Sequence, residues 1–188
     1  EEITPNGIRT TDAEYELDYI IFATGYDAMT GPLFRMDIRG KNVLTLKQKW
    51  DGGAQLKTYL GLAVNGFPNM FLIGGPQTAA VHVNVPILHE FTVDWLSGLI
   101  GYAEKQGMDV IEATAEAEQG WTDHCNEVAS ATIYARVDSW YNGANIEGKP
   151  RAFLTYLGGF QRLQKIFKET AAEGYKGFVG AGAPEPQR

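Results

Sequence analysis

Thr24 and Gly25 close the apolar run Tyr19-Ile20-Ile21-Phe22-Ala23, and a second run, Met70-Phe71-Leu72-Ile73, closes on Gly74-Gly75-Pro76. Unbroken apolar runs this short suit strands buried on both faces, as in a parallel α/β sheet. Glycine at such a strand end lets the backbone turn tightly or approach a ligand closely, because it has no Cβ. Ligands of open α/β sheets lie beyond the carboxyl ends of the strands. Two such ends place two loops at one sheet edge, a shape suited to a phosphate or a ring system. Taken alone, Thr24-Gly25 reads equally well as a ligand-facing strand end and as a buried strand closing on a glycine turn.

Two further stretches hold usable chemistry. Gly74 to Pro86 leads into a long helix, whose first backbone N–H groups can bind an anionic or carbonyl-bearing edge. His82 within it reads either as a pocket residue or as a solvated loop histidine. Asp138 to Pro150 holds two aromatics, two asparagines, two glycines and a lysine without a regular period. Connections of this length are usually functional lids or disordered. Trp140 offers a flat face and one N–H donor, suited to packing on a ring and bonding a ribose hydroxyl; the plain alternative is a core plug in a helix connection. His82, His89 and His124 are scattered and form no metal-ligand spacing. Cys125 lies in an apolar helical stripe and reads as a small core residue. Gly180-Ala181-Gly182 precedes prolines and follows no convincing strand, so it reads as tail rather than phosphate loop.

The elements that must position these residues follow from pattern. Glu2–Thr4 and Ile8–Thr10 flank Pro5-Asn6-Gly7, a hairpin signal in which Asn-Gly supplies positive φ. Asp12-Ala13 is a second turn, leading into the buried strand within Leu17–Ala28. Asp37–Gly40 and Val43-Leu44 read as short strands, and Asp51-Gly52-Gly53 as a turn. Leu88, Phe91, Trp95, Leu99 and Tyr102 at helical spacing predict a helix from Pro86 to about Gln106, stopped by Gly107. Thr114 caps a second helix with Glu116 and Glu118 in its first turn, buried along Trp121, Cys125, Val128 and Thr132. Phe160, Leu163, Phe167 and Ala171 mark a third, stopped by Gly174.

At 188 residues and 44% hydrophobic, the chain can bury one sizeable core with a helical appendage. A net charge of -7, with no run of Lys or Arg, argues against nucleic acid and anionic membrane surfaces as partners. A single cysteine excludes an internal disulfide framework and fits a reducing, cytoplasmic setting. No apolar run approaches the roughly 20 residues of a membrane span. An opening on Glu1, inside a hairpin pattern, is what the C-terminal part of a longer protein would give.

Together these stretches resemble the C-terminal part of the Baeyer–Villiger monooxygenases, flavoproteins of the cyclohexanone and phenylacetone monooxygenase kind. The likeness rests on Phe22-Ala-Thr-Gly-Tyr-Asp27, on Lys49-Trp50 with Tyr59–Leu62 and Gly66–Asn69, and on Gly75-Pro76 running to Asp94-Trp95. Ser139-Trp140 with Gly143–Asn145 and Gly148–Pro150 extends it, followed by Tyr156–Gly159 and Gly174–Phe178. It covers nearly the whole chain, in order.

The resemblance implies an α/β fold: part of a flavoprotein with two Rossmann-like dinucleotide-binding domains and appended helices. Residues 1–28 would form a hairpin and linker strand between the NADP and FAD domains. Residues 29–179 would form the C-terminal portion of the FAD domain with a mobile loop at 138–150, and 180–188 a disordered tail. It implies FAD and NADP as cofactors, and NADPH- and O2-dependent conversion of a ketone to an ester or lactone through a peroxyflavin. Cofactor-binding positions implied by it are Thr24, Gly25, Pro76, Asn84, Val85 and Trp140; substrate-pocket positions are Val81, His82, Val83 and Leu154. The bulge Val81-His82-Val83 has the phenylacetone-type length, with side chains that depart from the family pattern. The Gly-x-Gly-x-x-Gly loops and the catalytic arginine of the family are not in this sequence, so no catalytic residue is expected here. Related N- or S-oxygenating flavin monooxygenases, or a pyridine-nucleotide reductase, are the near alternatives, and a non-catalytic helical binding module the distant one.

Overall fold

The computed structural model describes residues 1–78 and 83–182. Val81 and His82 lie outside these residues. The chain opens with a three-stranded antiparallel ribbon, β1 (Glu2–Thr4), β2 (Gly7–Arg9) and β3 (Glu14–Glu16). Thr4 faces Gly7 in the register, so the turn is Pro5-Asn6 and not Asn-Gly. Neither Asn6 nor Gly7 takes positive φ, since proline already sets the φ that an ordinary turn needs. Gly7 serves packing instead: a Cβ there would lie 1.8 Å from the Tyr15 carbonyl oxygen.

The run after β3 corrects the expected buried strand. Residues 17–28 form no ladder, and Tyr19 and Ile21 are 87% and 89% exposed. A strand buried on both faces needs strands beside it and helices above and below it; the described residues supply none there. The next expectation fails for a different reason. Between Met29 and Gly66 the backbone closes local turns: α1 (Thr30–Arg35), a 3-10 turn over Lys41–Val43, and α2 (Leu46–Lys49), with one bridge between Arg39 and Thr45. Thr45 and Gln48 form a reciprocal capping box that starts α2. The Met70–Ile73 run likewise makes a single bridge, Phe71 to Ala63, rather than a strand.

Helical spacing gives the three helices and most of their buried stripes. Thr132, however, lies beyond the end of the second helix, where Ala129 is buried instead, and Phe91, Tyr102 and Val128 are only half-buried. In α3 (Val85–Lys105) the buried positions are Leu88, Thr92, Trp95, Leu99 and Ala103, one stripe at steps of three and four. Thr114 caps α4 (Ala115–Ser130), accepting from the Ala117 N–H at 3.1 Å. In α5 (Phe160–Ala172), Leu163 and Phe167 are fully buried. Trp95 joins α3 to α5: its indole N–H donates to the Phe167 carbonyl at 2.7 Å, and its ring lies 5.0 Å from that of Phe167. β4 (Val110–Ala113) pairs antiparallel with β5 (Phe178–Ala181). Residues 180 and 181, expected as disordered tail, are therefore strand, because β4 needs a ladder partner.

Apolar burial falls into two clusters. Leu60, Leu62, Leu88, Trp95, Trp121, Tyr156 and Phe167 form the larger, and Leu46, Trp50, Leu56, Val64, Phe67 and Leu154 the smaller. Two buried carboxylates tie the turn at 65–66 to β4 and α4. Glu118 accepts from the Asn65 N–H at 2.9 Å and pairs with Lys49 at 3.1 Å; Glu112 accepts from the Gly66 N–H at 2.7 Å and pairs with Lys41. Burial pushes the Glu118 carboxyl up, opposed by the Asn65 N–H and by Lys49.

Candidate functional site

The stretch 138–150 is built rather than slack. Ser139 and Asn142 form a capping box around a 3-10 turn, Trp140–Asn142, which Gly143 closes in the left-handed conformation. Trp140 stays 38% exposed, its ring 4.3 Å from Tyr141 and edge-on to it, and Tyr141 in turn meets Tyr134 at 4.8 Å. Trp140 is thus not a core plug. Arg151 pairs with Asp138 at 3.0 Å across the base of the stretch.

Polar contacts bind this stretch to two other candidate segments. Lys149, with a side chain 9% exposed, reaches Asp27 at 2.5 Å and the Ala28 carbonyl at 3.1 Å. Asn145 donates to the Tyr26 carbonyl at 3.1 Å. On the other side the Leu154 N–H donates to the Tyr141 carbonyl at 2.8 Å, and the Leu154 carbonyl accepts from the Gln77 N–H at 2.9 Å. The Gln77 amide oxygen is buried and accepts from Thr58 at 2.7 Å. One hydrogen-bonded sequence therefore runs from the end of the linker, through the Trp140 turn, to the Pro76-Gln77 loop.

The candidate residues other than Val81 and His82 have these places. Thr24 and Gly25 are exposed beside that hydrogen-bonded sequence; Gly25 has φ +83 and open space where a Cβ would point. Pro76 is buried, its carbonyl 3.4 Å from the Thr58 hydroxyl. Asn84 occupies the N-cap of α3 without a side-chain cap bond, and Val85 is exposed in the first turn. Val83 is half-buried against the larger cluster, whereas Leu154 is buried in the smaller one. Asp27, Gln77, Asn145 and Lys149 do the joining; the sequence held Asp27, Asn145 and Lys149 only as members of family-like stretches and gave none of the four this role. In the fold, Asp27 packs over Gly31: a Cβ there would lie 2.6 Å from its carboxyl and would make that side chain shift. Among the described residues no group of His, Cys, Asp and Glu could hold a metal ion. Burial raises the Cys125 thiol far above its ordinary range, which keeps it protonated.

No protein-family model matches the chain. Individual proteins do. Phenazine N-monooxygenase PhzNO1 from Lysobacter antibioticus is 41% identical over 180 residues, 95% of this chain and 32% of that protein. Cyclohexanone 1,2-monooxygenase from an Acinetobacter species is 40% identical over 94% of this chain and 32% of its own length. The solved structure of cyclohexanone monooxygenase from Rhodococcus sp. Phi1 bound to NADP+ superposes with a TM-score of 0.89, at 40% identity, over 97% of this chain and 34% of that one. This chain is a homologue of the Baeyer–Villiger monooxygenases. It spans about a third of the length of the curated relatives it matches. The α/β class holds: the chain mixes helices with short sheets and superposes on those structures, although every ladder among the described residues is antiparallel.

Proposed function

We propose that this stretch serves an NADPH- and O2-dependent flavin monooxygenase that converts a ketone to an ester or lactone. The carrying observation is the hydrogen-bonded frame joining residues 26–28, the Trp140 turn and the Pro76-Gln77 loop, in a chain about 40% identical to such enzymes. On this reading FAD and NADP supply the redox chemistry when bound, and residues 1–28 link the two nucleotide domains.

The residues present fit those groups. The start of α3 carries no side-chain cap, so its first N–H groups remain available to a carbonyl-bearing ring edge; Asn84 and Val85 would meet the flavin there. Trp140, 38% exposed, would offer its indole to the nicotinamide nucleotide. Thr24 and Gly25 would stand beside both cofactors, with Pro76 shaping the opposite loop. Val81, His82, Val83 and Leu154 would border the ketone, Leu154 through its backbone, since its side chain is core. The frame's task is orientation and exclusion of water, the usual protein contribution around a cofactor. The single cysteine and the acidic charge fit a cytoplasmic enzyme.

The test is to supply purified full-length protein with NADPH and cyclohexanone, and to follow flavin absorbance, NADPH consumption and lactone. Yellow protein and lactone are the expected result; colourless protein that consumes no NADPH contradicts the reading. The likeness to a phenazine N-monooxygenase favours a second reading, N-oxygenation of a heteroaromatic. Phenazine supplied in a parallel reaction separates the two by product. In the same enzyme Trp140→Ala should weaken NADP retention and raise release of hydrogen peroxide per NADPH consumed.

A further inference from the structure

A cleft between α4 and α5 contains none of the residues assigned above. It has a volume of about 550 Å³, inside the range of roughly 300–1,000 Å³ typical of small-molecule sites. Leu60, Trp121 and Ile166 give it apolar lining, and Arg162, Lys165 and Lys176 bring positive charge. We propose that this cleft binds a small planar organic anion, a cyclic or aromatic monocarboxylate.

Three observations lead there. First, the cations differ in availability. Lys165 pairs with Glu169 at 3.7 Å and Lys176 with Glu173 at 2.9 Å, whereas Arg162 has no carboxylate partner among the described residues. An unpaired guanidinium is a fork matched to a carboxylate, which it holds through two parallel hydrogen bonds. It stands in a chain of net charge -7, so local positive charge here is not a reflection of overall composition. Second, Trp121 and His124 bring aromatic edges to the cleft, with Tyr156 fully buried behind them. Trp121 and Tyr156 stack with centroids 5.1 Å apart and planes 27° apart, and His124 meets both rings at 5.6 and 5.7 Å. Rings of this kind favour offset contact with another planar ring. Third, polar capacity is left over. The Trp121 indole N–H is buried with no hydrogen-bond partner, a condition few buried donors share. His124 contacts the Tyr156 hydroxyl through Nε2 at 3.3 Å. Burial, and then Arg162, hold its imidazole below the ordinary value, so it is neutral at neutral pH and can still donate a hydrogen bond. A ring against Trp121 and His124 with its carboxylate at Arg162 uses the free guanidinium, the aromatic lining and the neutral imidazole.

The experiment titrates full-length protein with benzoate, read by calorimetry and by saturation-transfer NMR, with benzyl alcohol as a neutral aromatic control. Saturable benzoate binding is expected, with benzyl alcohol weaker. Arg162→Gln should weaken benzoate about tenfold or more, the usual effect of losing a charge-assisted hydrogen bond. Lys105→Gln, a remote cation lost from the end of α3, should change nothing. Arg162 is exposed, so the Gln variant keeps its fold, checked by an unchanged urea midpoint. No saturable binding, equal binding of benzyl alcohol, or equal losses in the two variants would overturn the proposal. None of these outcomes depends on flavin or NADPH, so the oxidative reading stands or falls separately.

Discussion

Glu118 carries more of this fold than its position in a helix's first turn implies. Beyond its favourable place near the dipole, it is 2% exposed and satisfies both the Asn65 N–H and Lys49. Glu118→Ala leaves a buried N–H and a half-buried ammonium unpaired, at a cost of about 3 kcal/mol. Glu118→Gln keeps an acceptor for Asn65 and should cost less than half as much in a urea titration; equal costs would remove the hydrogen bond from the account. His124 behaves oppositely with pH. Its pKa is lowered by burial and by Arg162, so the unfolded chain takes up the proton first. The stability it supplies is complete above its ordinary value of 6.5 and declines as pH falls below it. His124→Gln should flatten that decline in the urea midpoint measured from neutral to mildly acidic pH.

At the scale of elements, the helices owe their stability to buried stripes and the Trp140 turn owes its to a few polar contacts. Such segments open locally at low free energy. Lys149 is the main tie, with two acceptors on the linker, Asp27 and the Ala28 carbonyl. Lys149→Met should speed amide exchange about tenfold across residues 144–149 and 26–28, and leave α3 and α5 unchanged. Uniform acceleration would mean global destabilisation and would deny the turn its separate attachment. Phe167 is the contrasting case. Its ring meets both Trp95 and Phe91, at 5.0 and 5.5 Å, so its loss would loosen α3 and α5 together.

Among the described residues, Tyr19, Ile21, Phe22 and Tyr26 form a conspicuous exposed apolar segment. Backbone outside any ladder, as at residues 19–23, with open apolar side chains is a template for association. The 188-residue chain made alone should therefore self-associate, and Ile21→Lys with Phe22→Lys should return it to monomer in light scattering. In the full-length protein the same pair of substitutions should lower stability, if that face is covered there. No helix of the described residues is long and apolar enough to cross a membrane.

Local order in the chain determined much of this. The stripes of α3, α4 and α5, the Thr114 cap and the glycines that end helices act within a few residues, so they are readable without coordinates. The same holds for the chemical character of Trp140 and of the α3 start. Only tertiary structure decided which runs are strands, because an apolar run becomes one through partners that its own residues do not specify. Residues 19–23 found no partner among the described residues, residues 70–73 found one bridge, and residues 178–181 found β4. The joining of Asp27 to Lys149, and of Gln77 through Leu154 to Tyr141, was likewise invisible. Those contacts link residues far apart in the chain, and carry no period that a linear pattern could reveal. The Trp140 turn was legible as a place where chemistry could happen; what holds it against the linker was settled by the fold.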